Sequence, residues 1–91
     1  MKESILQHKI IKDLEARGYL VIKTIVLSKA GFPDIFAFRN GKTIFIEVKT
    51  STGIQSELQK YREKQLIEQN FDCWLIRTLD EFKMKVNLIK K

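Results

Sequence analysis

Cysteine, proline, histidine and glycine are all scarce in this chain, with one Cys, one Pro, one His and four Gly in 91 residues. A lone thiol, Cys73, excludes an intrachain disulfide and a thiolate zinc site. Such cysteine usage suits a reducing cytoplasm. Long apolar runs are missing as well. The longest, Tyr19–Leu27, is interrupted by Lys23 and Thr24, and nothing approaches the roughly 20 apolar residues that span a bilayer. The first residues turn polar again after Ile5-Leu6, so a signal-peptide core is not expected. Repeats, low-complexity tracts and blocks of like charge are absent, which leaves no room for a tail or linker.

What is present describes a small folded domain. The 44% apolar and 31% charged residues fit neither a disordered chain nor a membrane protein. The length allows one domain, residues 1–91, with a thin core that a second copy would supplement. The formal net charge of +6 is spread evenly, +2 in each of residues 1–27, 28–55 and 56–91. An evenly basic domain favours a polyanion partner, nucleic acid foremost.

Periodicity gives the order α-β-β-β-α-β-α, a mixed β-sheet flanked by helices in an α/β domain. Residues 3–17 carry Ile5, Leu6, Ile10, Ile11 and Leu14 at helical spacing, and Gly18 follows as a stop. Tyr19–Leu27 reads as a strand, and residues 28–33 as a loop punctuated by Gly31 and Pro33. Two short runs, Asp34–Arg39 and Lys42–Lys49, flank Asn40-Gly41, the dipeptide that marks a two-residue type I′ hairpin. A helix over 57–69 capped by Ser56, a strand over 72–77 and a last helix over 78–91 complete the chain.

The hairpin turn fixes a register. If Asn40-Gly41 is the turn, Arg39 pairs with Lys42 and Asp34 falls opposite Glu47 as a non-hydrogen-bonded pair, whose side chains approach most closely. Lys49 shares their face, as do Phe36, Phe38 and Phe45; Ile35, Ala37, Ile44, Ile46 and Val48 point the other way. Two carboxylates set against each other repel and resist desolvation, so something cationic belongs between them. Either Lys49 neutralises the pair in an acid–acid–lysine cluster at a solvated sheet end, or a divalent cation binds. Oxygen ligands without clustered His or Cys favour Mg²⁺ or Mn²⁺ over zinc.

Gly31-Phe32-Pro33-Asp34 followed by Glu47-Val48-Lys49 resembles the G-x-P-D … E-V-K signature of the VRR-NUC nucleases, members of the PD-(D/E)xK superfamily with a restriction-endonuclease-like core. Glu3 with Gln7 on the first helix, and Gly53 … Ser56-x-x-Gln59 at the start of the second, are similar to that family's pattern too. The chain departs from it at Ser56-Glu57-Leu58-Gln59, where S-P-E-Q is common, and at Ile54, where a basic residue is common. The resemblance implies a stand-alone phage or bacterial type of Mg²⁺- or Mn²⁺-dependent endodeoxyribonuclease. It implies that Asp34, Glu47 and the Val48 carbonyl hold the metal, with Glu3 contacting the metal or its water.

Lys49 would then activate the attacking water or stabilise phosphoryl charge, and Gln59 would contact the site. Gln59 also has a plain structural reading, since Ser56-x-x-Gln59 is a capping box. Gln7 and Lys29 are candidate DNA contacts. The implied substrate is branched or structured DNA, with Holliday-junction resolution one form of it. A nuclease indifferent to DNA structure, or a non-catalytic DNA-binding module, are the alternatives. A C₂ homodimer would supply the paired cuts that a two-fold symmetric junction needs, with the last-helix stripe Leu79, Phe82, Val86 and Ile89 as one candidate interface.

Overall fold

The computed structural model describes residues 1–89. Its elements are α1 (Glu3–Ala16), β1 (Leu20–Lys23), β2 (Ile35–Arg39), β3 (Lys42–Val48), α2 (Glu57–Glu68), β4 (Asp72–Ile76) and α3 (Leu79–Asn87). The expected order α-β-β-β-α-β-α is therefore the observed one. The four strands form one sheet in the order β1-β2-β3-β4, antiparallel at the first two junctions and parallel at the third.

The β2–β3 hairpin has the register that its turn dictates. Asn40 and Gly41 both have positive φ (52° and 76°), as a type I′ turn requires, and Arg39 pairs with Lys42, Phe36 with Phe45 and Ile35 with Ile46. Ile35, Ala37, Ile44, Ile46 and Val48 are buried on one face, under Leu6, Ile10 and Leu14 of α1 and Phe82 and Val86 of α3. The ion pair between Lys83 and Asp13 ties those two helices together. The opposite face carries Phe36 and Phe45, packed edge to face at 4.7 Å, with Phe71 against Phe45 at 5.3 Å. There α2 covers the β3–β4 half, its Gln59 reaching Glu47, and leaves Leu20 (67% exposed) and Ile22 of β1 in solvent.

Three expectations need correction. β1 stops at Lys23 instead of Leu27, because its partner β2 begins only at Ile35 and residues 25–27 have no strand beside them. The last helix ends at Asn87; Lys90 and Lys91 of the expected 78–91 helix lie outside the described residues. The stripe on that helix is not free for a partner. Phe82 and Val86 are fully buried and Leu79 and Ile89 pack on the same core, so the apolar face of α3 is spent within its own chain. Among the described residues no helix is long and apolar enough to cross a membrane.

Candidate active site

The site forms where β2 and β3 part company. Hydrogen-bonded pairs alternate along this hairpin, from Arg39–Lys42 through Ala37–Ile44 to Ile35–Ile46. The next such rung would join residue 33 to Val48, but residue 33 is proline and has no N–H to give. The other groups of that missing rung find side chains. The Val48 N–H donates to Asp34 Oδ2 at 3.0 Å, and the Pro33 carbonyl accepts from Thr24 Oγ1 at 2.9 Å. In an extended strand a residue's N–H and C=O project from the same edge. The Val48 carbonyl therefore projects from the same edge as its N–H, the edge that meets Asp34.

Glu47 is opposite Asp34 and only 2% exposed. Its Oε2 receives Gln59 Nε2 at 3.1 Å and lies 3.5 Å from Lys49 Nζ. Burial, and then the charge of Asp34, push the Glu47 carboxyl up to about 8 against the opposing pull of Lys49. The two acids are close enough to share a proton. Lys49 thus offsets the repulsion only in part, as one cation between two carboxylates must. The donor set that remains, two carboxylates and a carbonyl at a sheet end, is all oxygen. Such a set fits a hard divalent cation rather than a soft one.

Glu47 gives the metal-free protein a pH dependence whose sign follows from its raised pKa. Its folded-state value, about 8, exceeds the ordinary 4.5, so the folded form keeps a proton that the unfolded chain releases. The stability this group contributes is full below about pH 4.5 and is lost as pH rises toward 8. Thermal melts of the metal-free wild type should fall between pH 5 and 8 relative to Glu47→Gln, and Mg²⁺ should restore the difference at pH 8. Parallel melting curves for the two proteins would refute a shared proton at this site.

Gln59 makes two contacts at once, the capping box of α2 and a hydrogen bond to Glu47. Its Oε1 accepts the Ser56 N–H at 2.9 Å, closing the capping box that starts α2, while its Nε2 holds Glu47. An amide has one accepting and one donating end, so a single side chain serves helix and site together. Lys29 sits exposed in the loop before Gly31. Gln7 is buried on α1, one turn from Glu3. The start of α1 borders the same sheet end, since Met1 and Leu6 line a cavity with Ser51 and Arg77. Glu3 is not gathered into the carboxylate pair: among the described residues no three His, Cys, Asp or Glu side chains stand close enough to share a metal ion.

Sequence reasoning missed two arginines. Arg77 Nη1 donates to the carbonyls of Thr50 (2.7 Å) and Gly53 (2.6 Å), fixing the loop that carries the chain from Lys49 to Ser56. Arg62 Nε donates to the Ala30 carbonyl at 3.0 Å and its guanidinium lies over the Phe32 ring, fixing the loop that delivers Asp34. Both anchor backbone carbonyls at long range in sequence, and a surface arginine carries no sequence signal for that. Cys73, on the α2 side of the sheet, has its thiol pushed up to about 12 by burial and stays protonated.

A sequence model of the family described as "Archaeal Holliday junction resolvase (hjc)" matches residues 4–72, a span that contains Asp34, Glu47, Lys49 and Gln59. The chain belongs to this resolvase family. A solved structure described as a "VRR_NUC domain" superposes with a TM-score of 0.86 at 19% identity, covering 97% of each chain. It shares the fold. The chain matches no curated protein. The resolvase family and the VRR-NUC domain both lie in the PD-(D/E)xK nuclease superfamily, and the mixed sheet of this chain is the nuclease fold of that group.

Proposed function

We propose that this nuclease is a divalent-metal-dependent endonuclease that cuts branched DNA, four-way junctions among its substrates. The observation that carries this reading is the opposed Asp34–Glu47 pair at the sheet end, beside the edge of Val48 whose N–H Asp34 holds. A DNA-binding module has no use for two acids facing a polyanion, and a cation bound between them turns the repulsion into attraction. Asp34, Glu47 and the Val48 carbonyl hold the ion, Mg²⁺ or Mn²⁺. Bound there, it would polarise a phosphate oxygen and lower the pKa of a coordinated water.

The chain's own groups do the remainder. Lys49 Nζ holds the attacking water or the developing phosphoryl charge. Gln59 keeps Glu47 turned toward Asp34. Glu3 faces the water around the ion from the start of α1, and Lys29 contacts a phosphate. The reducing cytoplasm of a bacterium or a phage-infected host suits the lone thiol.

A four-way junction has two-fold symmetry, and resolving it takes two cuts, whereas this chain carries one site. A C₂ homodimer supplies both. The surface that fits a second copy is the sheet face α2 leaves open, Leu20 and Ile22 beside Phe38 and Phe36, continuous with the site at Asp34. Labelled duplex, flap and four-way-junction DNA with and without Mg²⁺ or Mn²⁺ test the proposal, together with light scattering at micromolar concentration. Metal-dependent, paired junction cuts by a particle of twice 10.7 kDa are expected. Metal-independent cutting, no cutting of any DNA, or paired cuts by a particle of one chain's mass would each overturn the corresponding part.

A further inference from the structure

The aliphatic run that sequence periodicity assigns to β1 is instead an exposed loop tip beside Asp34. Ile25 is 89% exposed and Val26 86%, with Leu27 half-exposed next to them. Isolated exposed aliphatics are ordinary, but three in succession on a 91-residue domain form a patch. Together with Lys29, Gly31 and Asp34 they line one groove of about 360 Å³. The patch and the acid are walls of the same opening.

The tip is held, not dangling. At its start the Thr24 N–H and hydroxyl both bond to the Asp34 carbonyl, at 2.8 and 3.2 Å, and the hydroxyl to that of Pro33. At its end Arg62 holds the Ala30 carbonyl, and Gly31 lies so close to Leu58 that a Cβ there would be 2.6 Å from its Cγ. Between these fixed ends stand two β-branched side chains, each stiff at χ1. Lys23 and Lys29, both exposed, flank them in sequence.

Resting on the nuclease reading above, we infer that Ile25 and Val26 are a wedge that enters the base stack beside the phosphate that a cation at Asp34 and Glu47 would hold, with Lys23 and Lys29 on the phosphates to either side. Apolar side chains inserted at a base step unstack it and kink the duplex, at a cost least where stacking is already interrupted, as at a branch point. The lysines set the charge complementarity: an aliphatic tip between two cations matches bases between two phosphates. The wedge explains how a domain without a recognition helix selects DNA by deformability. Ile25 and Val26 are positioning residues, since neither touches the reacting atoms.

The test uses a four-way junction carrying 2-aminopurine beside the mapped cut, bound in Ca²⁺ to read unstacking and in Mg²⁺ to read cleavage. Wild type should raise the 2-aminopurine fluorescence on binding. Ile25→Ser/Val26→Ser, which exchanges exposed aliphatic groups for hydroxyls, should melt with wild type and keep its salt dependence of binding. It should lose the fluorescence rise and cleave about tenfold more slowly. Ile25→Leu/Val26→Leu should rescue it, as should a junction with unpaired bases at the cut.

Unchanged fluorescence and cleavage in the double Ser variant would overturn the wedge. So would a halved mass by light scattering, which would make the tip a contact between copies. If wild type neither binds nor cuts any DNA, the nuclease reading itself falls. An active wild type with an indifferent variant removes the wedge alone.

Discussion

Glu47→Gln should lower the cleavage rate by about a thousandfold or more, because a metal's stabilisation of the transition state is worth several kcal/mol. The substitution keeps the shape of a residue that is only 2% exposed and removes its capacity to ionise. The fold therefore stays, and the metal-free protein gains stability above neutral pH, where wild type must otherwise hold a proton or a repelling pair. DNA affinity without metal should hold near neutral pH, where the Glu47 carboxyl already keeps its proton, and should rise only above about pH 8, where the wild type carries the extra negative charge. Single-turnover cleavage of a junction in Mg²⁺, with melting curves on the same samples, makes the measurement. A folded Glu47→Gln protein that still cuts within about tenfold of wild type would remove Glu47 from the metal site.

Gly31→Ala should be the most damaging single methyl group on this surface. Gly31 has φ +86°, which costs an L-residue about 1–2 kcal/mol. The added Cβ would meet Leu58 Cγ at 2.6 Å and the Leu58 backbone carbon at 3.2 Å, and overpacking of this kind adds about 1–3 kcal/mol. A domain of this size loses about 4–8 °C in Tm per kcal/mol, so a fall of more than about 10 °C is expected. To relieve the contact the loop must lift off α2. That would strip the Ala30 carbonyl from Arg62 and carry Asp34 out of line with Glu47, so cleavage should fall even at temperatures where the protein stays folded. A Tm within about 2 °C of wild type would show that Leu58 moves aside freely.

The part of this site that sequence reveals is the part fixed by short-range stereochemistry. Asn40-Gly41 admits one turn type, the turn admits one register, and the register sets Asp34 against Glu47 before any tertiary contact is known. The nuclease superfamily was legible in the same way, because Gly31, Pro33, Asp34, Glu47 and Lys49 are close to one another along the chain. What sequence hid depends on where separate elements end against each other. Residues 25–27 have a strand's composition and no strand to pair with, since β2 turns away at Pro33. The stripe on α3 looks the same whether a partner or its own sheet buries it, and only the packing of Phe82 and Val86 decides. Gln59 offered two readings because each concerned a different end of one amide.

Pro33 turns a fraying hairpin end into a socket. A residue with an N–H at that position would have a hydrogen to offer the Val48 carbonyl, and the proposed cation and that hydrogen would then compete for one oxygen. Every binding event would begin by breaking a backbone hydrogen bond, so affinity for the ion would weaken with all of its ligands still in place. The imino acid has no such hydrogen to offer. On the reading proposed above, affinity for the ion would in that sense be set by an atom the protein does not have, the hydrogen missing from residue 33.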